Sequence, residues 1–223
     1  MLLDMHALKH KFFGHHERIH SHDIIHGLKA LSKYIPQDPS YKGLQIPIVV
    51  SGGTCSVLFL KSRKSTLAID YFTCNPDHIQ IIGDAARMAN RRETARHPYA
   101  WMNPDMLGFV ANNEGCETVF DDSVRQGEVL FESPSLVVYA ADWRFQLVGK
   151  MQRAYADADD EAQQDDLADA VSILHLLVQR RGGDSIAKEE LRRWYSYGLS
   201  MEEAEFALVA TAYKARHGVV PFV

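Results

Sequence analysis

Residues 46–72 read IPIVVSGGTCSVLFLKSRKSTLAIDYF, and their character changes in short steps along the chain. The stretch opens with an apolar run, Ile46 to Val50, which only Pro47 interrupts before the glycine pair Gly52-Gly53. A second apolar segment, Cys55 to Leu60, follows the glycines and is helix-like. The pattern predicts a strand, a tight glycine turn and the N-terminus of a helix.

A basic loop, residues 61–66, leads to another short apolar run, Ala68 to Phe72, which carries one carboxylate, Asp70. This run predicts a second strand. Glycines let a backbone approach phosphates closely, a helix N-terminus offers free N–H groups to an anion, and an acid holds the accompanying metal ion. The turn from Ser51 to Thr54, including Gly52 and Gly53, is therefore a candidate polyphosphate site, with Asp70 as its metal ligand.

These residues resemble the opening motif of the nucleotidyltransferase superfamily, in which a strand, Gly-Gly or Gly-Ser, a helix and Asp-x-Asp follow one another. The spacing from the glycine pair through Arg63 and Thr66 to Asp70 is similar to the abortive-infection type, whose members include nucleotidyltransferase toxins. A second motif of that type, a helical lysine followed by D-x-x-D, matches Lys150 and the pair Asp166 and Asp169. The two motifs together cover residues 46–178.

The resemblance implies a mixed sheet, Mg²⁺ and a nucleoside triphosphate. It makes Lys150 a triphosphate contact and gives Asp166 or Asp169 a catalytic or lysine-orienting role. Arg63 and Thr66, just before the strand of Asp70, are candidate phosphate-binding residues by their position. Each of these residues has a plainer interpretation, because lysines reach along surfaces to water, acids one helical turn apart form solvated faces, and polar loop residues cap turns.

The chain departs from the motif at its first Asp, where it has Ala68. Two-metal nucleotidyl transfer requires carboxylates that bridge both ions, so Asp70 alone weakens the expected metal site. Two functions stay open. The first is transfer of a nucleotide from NTP·Mg²⁺ to an RNA, a protein or a small molecule. The second is a degenerate nucleotidyltransferase fold used for binding or for different biosynthetic chemistry.

Composition limits the remaining classes of function. The 223 residues carry a formal net charge of -5, which argues against broad, non-specific attraction to nucleic acid. Three widely spaced cysteines do not form a disulfide framework or a zinc ribbon, and no apolar stretch approaches the length of a membrane span. We expect a reduced, cytoplasmic protein without membrane contact.

The N-terminal region is rich in histidine. Seven of the 11 histidines precede residue 27, and the pairs His6/His10, His16/His20 and His22/His26 have the i,i+4 spacing that can chelate a metal on one helix face. A polar surface helix and a pH-sensitive contact surface are the alternatives.

The order of the predicted elements favours an α+β fold with an α/β-type core and a helical C-terminal half. We divide the chain into an N-terminal helical segment (1–40), a nucleotidyltransferase-like core (41–141) and a helical region (142–223). Within these segments, Asn75-Pro76 predicts the start of a helix, and residues 117–120, 129–131 and 136–139 predict strands. We expect a loop or short helix at 101–104, an acidic loop at 157–166 and a capping box at Ser200 and Glu203.

Overall fold

The computed structural model describes residues 18–93, 101–112, 115–156 and 160–223. Its strands are β1 (Ile19–His20), β2 (Ile46–Ser51), β3 (Ser65–Thr66), β4 (Ile69–Phe72), β5 (Met102–Asn103), β6 (Val129–Glu132) and β7 (Leu136–Ala140). Its helices are α1 (Ser21–Tyr34), α2 (Gly53–Cys55), α3 (Pro76–Arg92), α4 (Met106–Asn112), α5 (Val119–Gln126), α6 (Trp143–Ala156), α7 (Asp160–Arg180), α8 (Lys188–Arg192) and α9 (Glu203–His217). A π-helical turn (Ser56–Leu60) extends α2, and short 3₁₀ helices lie at Ile35–Gln37 and Ser196–Ser200.

A five-stranded mixed sheet with the order β5-β4-β2-β7-β6 forms the centre of the fold. The central strand β2 runs antiparallel to β4 and parallel to β7. The outer strands complete the sheet, because β5 runs parallel to β4 and β6 forms an antiparallel hairpin with β7. The fold is therefore mixed α+β with a helical C-terminal half, as the sequence predicts.

The two faces of β2 contribute to two apolar clusters. Ile46, Ile48 and Val50 point into the main core, whereas Val49 points into a smaller cluster on the other face. This division follows from the alternation of side chains along a strand. Helices α1 and α3 pack on each other over the main core, and α4 and α5 contribute to the smaller cluster.

The main core continues without interruption into the helical half. It includes Ile19 near the first described residue, Leu147 in α6, Leu174 in α7 and Phe222 near the end of the chain. The three segments predicted from the sequence therefore contribute to one shared core. Helices α6 and α7 pack along each other, which sets the residues of the lysine motif opposite those of the acidic motif.

Four local predictions require correction. Residues 119–120, expected in a strand, begin helix α5, where Thr118 Oγ1 bonds Asp122 Oδ2 at 2.8 Å and Val119 is buried. The predicted loop at 101–104 contains strand β5. The acidic stretch from Asp160 onward belongs to α7 rather than to a loop, while 157–159 lie outside the described residues. The last capping box uses Glu202 and Glu205, two residues later than the pair expected from sequence.

Candidate functional site

The glycine turn and Asp70 lie side by side where the central strands of the sheet end. We call this end of the strands the sheet edge. Strand β2 ends at Ser51, and β4 begins at the same edge because the two strands are antiparallel. Ser51 is the direct register partner of Asp70. The half-buried Asp70 carboxylate accepts a 2.5 Å hydrogen bond from Nδ2 of Asn103, its register partner on β5. The structure thus brings the predicted acid to the predicted turn.

Both glycines of the turn are required by geometry. Gly52 has a φ of 63°, in the region that favours glycine. A Cβ at Gly53 would lie 2.2 Å from Thr66 Oγ1 and 2.7 Å from Thr66 Cβ, so no side chain fits there. The hydroxyls of Thr54 and Thr66 donate to the carbonyl of Ala68 at 3.4 and 3.3 Å. The two threonines therefore join the turn to the residue just before β4.

Gln146, which the sequence analysis did not single out, connects the glycine turn to helix α6. Its Oε1 accepts the Gly52 N–H at 3.1 Å, and its Nε2 donates to the Ala141 carbonyl at 2.7 Å. Gln146 is buried and lies one helical turn before Lys150, so both side chains project from the same face of α6. That i,i+4 spacing is the signal in the sequence that could have identified it.

Cys55 lies beneath the turn, and its Sγ contacts the Val50 carbonyl at 3.2 Å. Complete burial raises the pKa of the Cys55 thiol to about 12, although the bond with Gln146 and the charge of Lys150 oppose this shift. A buried thiol with a raised pKa stays protonated at neutral pH.

Lys150 forms ion pairs with both acids of the second motif. Its Nζ lies 2.5 Å from Asp166 Oδ1 and 2.7 Å from Asp169 Oδ2. Lys150 is 4% exposed, and Asp169 is fully buried, so water screens neither charge. The interpretation of Lys150 as a surface lysine, and of these acids as a solvated face, does not fit this burial.

Arg63 joins the same network from the loop before β3. Its Nη2 lies 2.8 Å from Asp166 Oδ1 and 2.6 Å from Asp169 Oδ2, and its Nη1 lies 3.1 Å from Asp165 Oδ2. The preceding residue, Ser62, donates its hydroxyl to Asp169 Oδ1 at 2.6 Å. These contacts attach the basic loop to α7 through buried charge.

Arg153 completes the network, with its Nε 2.9 Å from Asp166 Oδ2. Burial alone would raise the pKa of Asp166, but the positive charges of Arg153 and Lys150 lower it to about 2. We call this set the ion network. Its three cations and three carboxylates balance in formal charge. Its members are Arg63, Lys150, Arg153, Asp165, Asp166 and Asp169.

The predicted site residues therefore form two adjacent groups. Ser51, Gly52, Gly53 and Asp70 lie at the sheet edge with the two threonines, and Arg63, Lys150, Asp166 and Asp169 lie in the ion network. Gln146 is the link, since it bonds the turn and shares a helix face with Lys150.

The side chains at the sheet edge that could bind a metal fit one magnesium ion rather than two. Mg²⁺ is commonly held by one or two carboxylates together with substrate phosphates, and Asp70 supplies one carboxylate. Ala68 supplies none, and no group of three His, Cys, Asp or Glu side chains suited to a metal occurs within residues 18–93, 101–112, 115–156 and 160–223. A two-metal arrangement of carboxylates does not fit these residues.

The histidine-rich region extends beyond the part of the chain that the structure describes. His6, His10 and His16 lie outside it. His22 and His26 lie on α1, where His22 Nε2 is 3.1 Å from Asp23 Oδ1.

No helix among the described residues combines the length and apolar character needed to cross a membrane.

Comparisons with known proteins show the family of this chain. Searches of curated proteins and of solved structures found no significant match. A family model described as a domain of unknown function, DUF7582, matches residues 20–220. Because this match covers most of the chain, the protein belongs to the DUF7582 family.

Proposed function

We propose that this domain binds a nucleoside triphosphate with Mg²⁺ at the sheet edge and transfers a nucleotide to an acceptor. The observation that carries the proposal is the register of Ser51 with Asp70, which places a glycine turn beside an acid at the end of the central strand. Phosphates would approach the backbone of Gly52, where a Cβ would meet no other atom within 4 Å.

The charge distribution supports the same proposal. Asp70 would hold one Mg²⁺ together with the phosphates, and that ion would neutralise charge on the triphosphate. Lys150 lies one helical turn from Gln146, which bonds the glycine turn, and Arg63 pairs with the same carboxylate as Lys150. Their carboxylate partners hold both cations in place, and a polyphosphate competes with those carboxylates for the same donors.

A second candidate function, binding without transfer, is favoured by two specific observations. Ala68 removes a carboxylate that two-metal transfer requires, and the ion network already balances the charges of Lys150 and Arg63. In this function the domain recognises a nucleotide, or serves different biosynthetic chemistry on the same fold.

Binding is tested by thermal unfolding with ATP, GTP, CTP or UTP, each with and without Mg²⁺. A ligand at a hundredfold excess over its Kd stabilises the folded state by about 2.7 kcal/mol. We expect Mg²⁺-dependent stabilisation of the wild type, loss of the Mg²⁺ dependence in Asp70→Asn, and no change in Asp121→Asn, which alters an exposed acid on α5. Absence of stabilisation by every nucleotide would contradict nucleotide transfer and nucleotide binding, and would leave different biosynthetic chemistry on the same fold.

Transfer is tested with radiolabelled nucleotides and a pool of RNA and protein, with wild type and Ala68→Asp in parallel. Ala68 immediately precedes β4, and the alternation of side chains along an extended chain would place an acid at residue 68 on the side of Asp70. We expect slow labelling by the wild type and faster labelling by Ala68→Asp. Nucleotide binding without labelling by either protein assigns the binding-only function.

A further inference from the structure

Asn103 makes a directed contact with the one acid at the sheet edge. It lies opposite Asp70 in the β4–β5 register, and its Nδ2 donates to Asp70 Oδ1 at 2.5 Å. The other end of the same amide, Oδ1, accepts the backbone N–H of Asp105 at 3.3 Å. The amide thus bridges Asp70 and the turn into α4.

The orientation of this amide follows from its neighbours. With the two ends exchanged, the amide oxygen would face a carboxylate oxygen at 2.5 Å, and the NH₂ group would face the N–H of Asp105. Both contacts would be repulsive, because a carboxylate only accepts hydrogen bonds and a backbone N–H only donates. The NH₂ group therefore faces Asp70.

The backbone holds Asn103 at this position. Strand β5 pairs with β4 at Ile69–Met102 and Asp70–Asn103, and the Ile69 N–H donates to the Trp101 carbonyl at 2.6 Å. Trp101 is 1% exposed and belongs to the main core. A buried anchor two residues away keeps the Asn103 side chain beside the carboxylate.

The hydrogen bond that Asn103 donates to Asp70 Oδ1 changes what that carboxylate can bind. A cation that coordinated Oδ1 would meet the partial positive charge of the Asn103 NH₂ group, whereas Oδ2 is not engaged by that group. We propose that Asn103 is a positioning residue that makes Asp70 a one-oxygen ligand, so that the sheet edge accepts a single divalent cation. This inference rests on the proposed function for its ligand, and it identifies a restriction separate from Ala68.

Replacement of Asn103 by aspartate tests this role. Asn103→Asp keeps the acceptor for the Asp105 N–H, removes the donor to Asp70 and adds a carboxylate beside it. The matched control is Asn112→Asp, which adds the same charge at an exposed position on α4. Circular dichroism confirms that each variant is folded before metal binding is compared.

The experiment titrates Mn²⁺ into each protein, with and without ATP, and measures free Mn²⁺ by electron paramagnetic resonance. We expect one Mn²⁺ per wild-type chain in the presence of ATP. Without nucleotide, Asn103→Asp should bind Mn²⁺ about tenfold more tightly than the wild type, the size of change typical of groups beside a metal ligand. Its melting temperature should fall in EDTA, because two carboxylates then face each other, and should recover with Mn²⁺.

Two results would overturn the proposal. One is two Mn²⁺ ions bound to the wild-type protein with ATP, a measurement that does not depend on the folding of any variant. The other is equal Mn²⁺ affinity in Asn103→Asp and Asn112→Asp. A wild type that binds no nucleotide, combined with a gain of Mn²⁺ affinity in Asn103→Asp, rejects the proposed function and supports the role of Asn103.

Discussion

At the scale of single residues, the ion network shows how a buried charge is tolerated. Asp169 is fully buried and lies between Lys150 and Arg63, while its other oxygen accepts the Ser62 hydroxyl. Burial of a carboxylate without partners costs several kcal/mol, so these contacts offset a large desolvation penalty rather than adding free stability. The network consequently fixes the position of Lys150, one helical turn from the glutamine that bonds Gly52.

Asp166 provides a pH-dependent test of this network. Its folded-state pKa of about 2 lies below the ordinary value of 3.8, because the charges of Arg153 and Lys150 outweigh the effect of burial. A lowered carboxylate pKa stabilises the folded state above the ordinary pKa, and this stabilisation is lost as the pH falls through about 4 to 2. We expect Asp166 to contribute about 2 kcal/mol to the unfolding free energy near neutral pH.

Urea unfolding of wild type and Asp166→Asn between pH 2 and 7 measures this contribution. The variant should be less stable at pH 7, and the difference should shrink as the pH approaches 2. Asp121→Asn serves as the control, and its stability curve should run parallel to that of the wild type. A constant difference between wild type and Asp166→Asn at all these pH values would show that the ion pairs do not stabilise the fold.

Sequence alone predicted part of this arrangement. The i,i+3 spacing of Asp166 and Asp169 indicates a shared helix face, and their resemblance to a motif connects them to Lys150. Arg63 could be assigned only to the loop before β4, because the attachment of that loop to α7 depends on tertiary packing. The i,i+4 spacing of Gln146 and Lys150 indicates a shared helix face. The bonds of Gln146 to Gly52 and of Asn103 to Asp70 join distant parts of the chain, and local spacing does not encode such contacts.

At the scale of elements, the glycine turn depends on the approach of β3 to α2. The Thr66 side chain occupies the position that a Gly53 Cβ would need, and Thr66 pairs with Ile19 in the two-stranded sheet. The sequence identified the turn because glycine pairs between apolar runs interrupt regular structure. It did not identify the short β1–β3 sheet, since runs of two residues carry no periodicity.

Two glycine-to-alanine variants test this steric requirement. Gly53→Ala should destabilise the fold by about 1–3 kcal/mol, the usual cost of overpacking a close contact. Gly83→Ala should stabilise it by up to about 1 kcal/mol, because Gly83 lies inside α3 and glycine is a poor helix former. A Cβ at Gly83 would meet only Arg87 Nη1, at an ordinary 3.5 Å. Equal effects on the urea midpoint would contradict the steric account of the turn.

The sequence predicts the end of a helix or strand where neighbouring side chains form the cap. Asn75 caps α3 by accepting the Asp77 N–H at 3.0 Å, and Pro76 occupies the first position, as the sequence indicates. The segment at Val119 is too short for its hydrophobic periodicity to distinguish a helix from a strand, so the strand predicted there is wrong. Its helix is stabilised by burial of Val119 and Ser123 against the sheet, which is a tertiary effect.

At the scale of the whole molecule, the main core connects the sheet to the helical half. It includes Trp101 beside the sheet edge, Trp143 at the start of α6 and Phe222 near the C-terminus. Because no boundary divides this cluster, unfolding of the helices removes partners from the strands. A continuous core of this kind favours a single cooperative transition.

We therefore predict that the sheet and the helices unfold in a single transition. The test uses a background in which Trp143 and Trp194 are replaced by Phe, so that fluorescence comes from Trp101 and reports on the sheet. Circular dichroism at 222 nm reports mainly on the helices. Trp143→Phe is suitable because the buried Trp143 Nε1 makes no hydrogen bond with any residue that the structure describes. In this background, Phe222→Ala removes a buried ring that packs edge-on against Phe206, and it should lower the unfolding free energy by about 3–5 kcal/mol. If the core is one cooperative unit, the fluorescence and dichroism midpoints shift together in urea. A shift in dichroism alone would mean that the helical half unfolds independently of the sheet that carries Asp70.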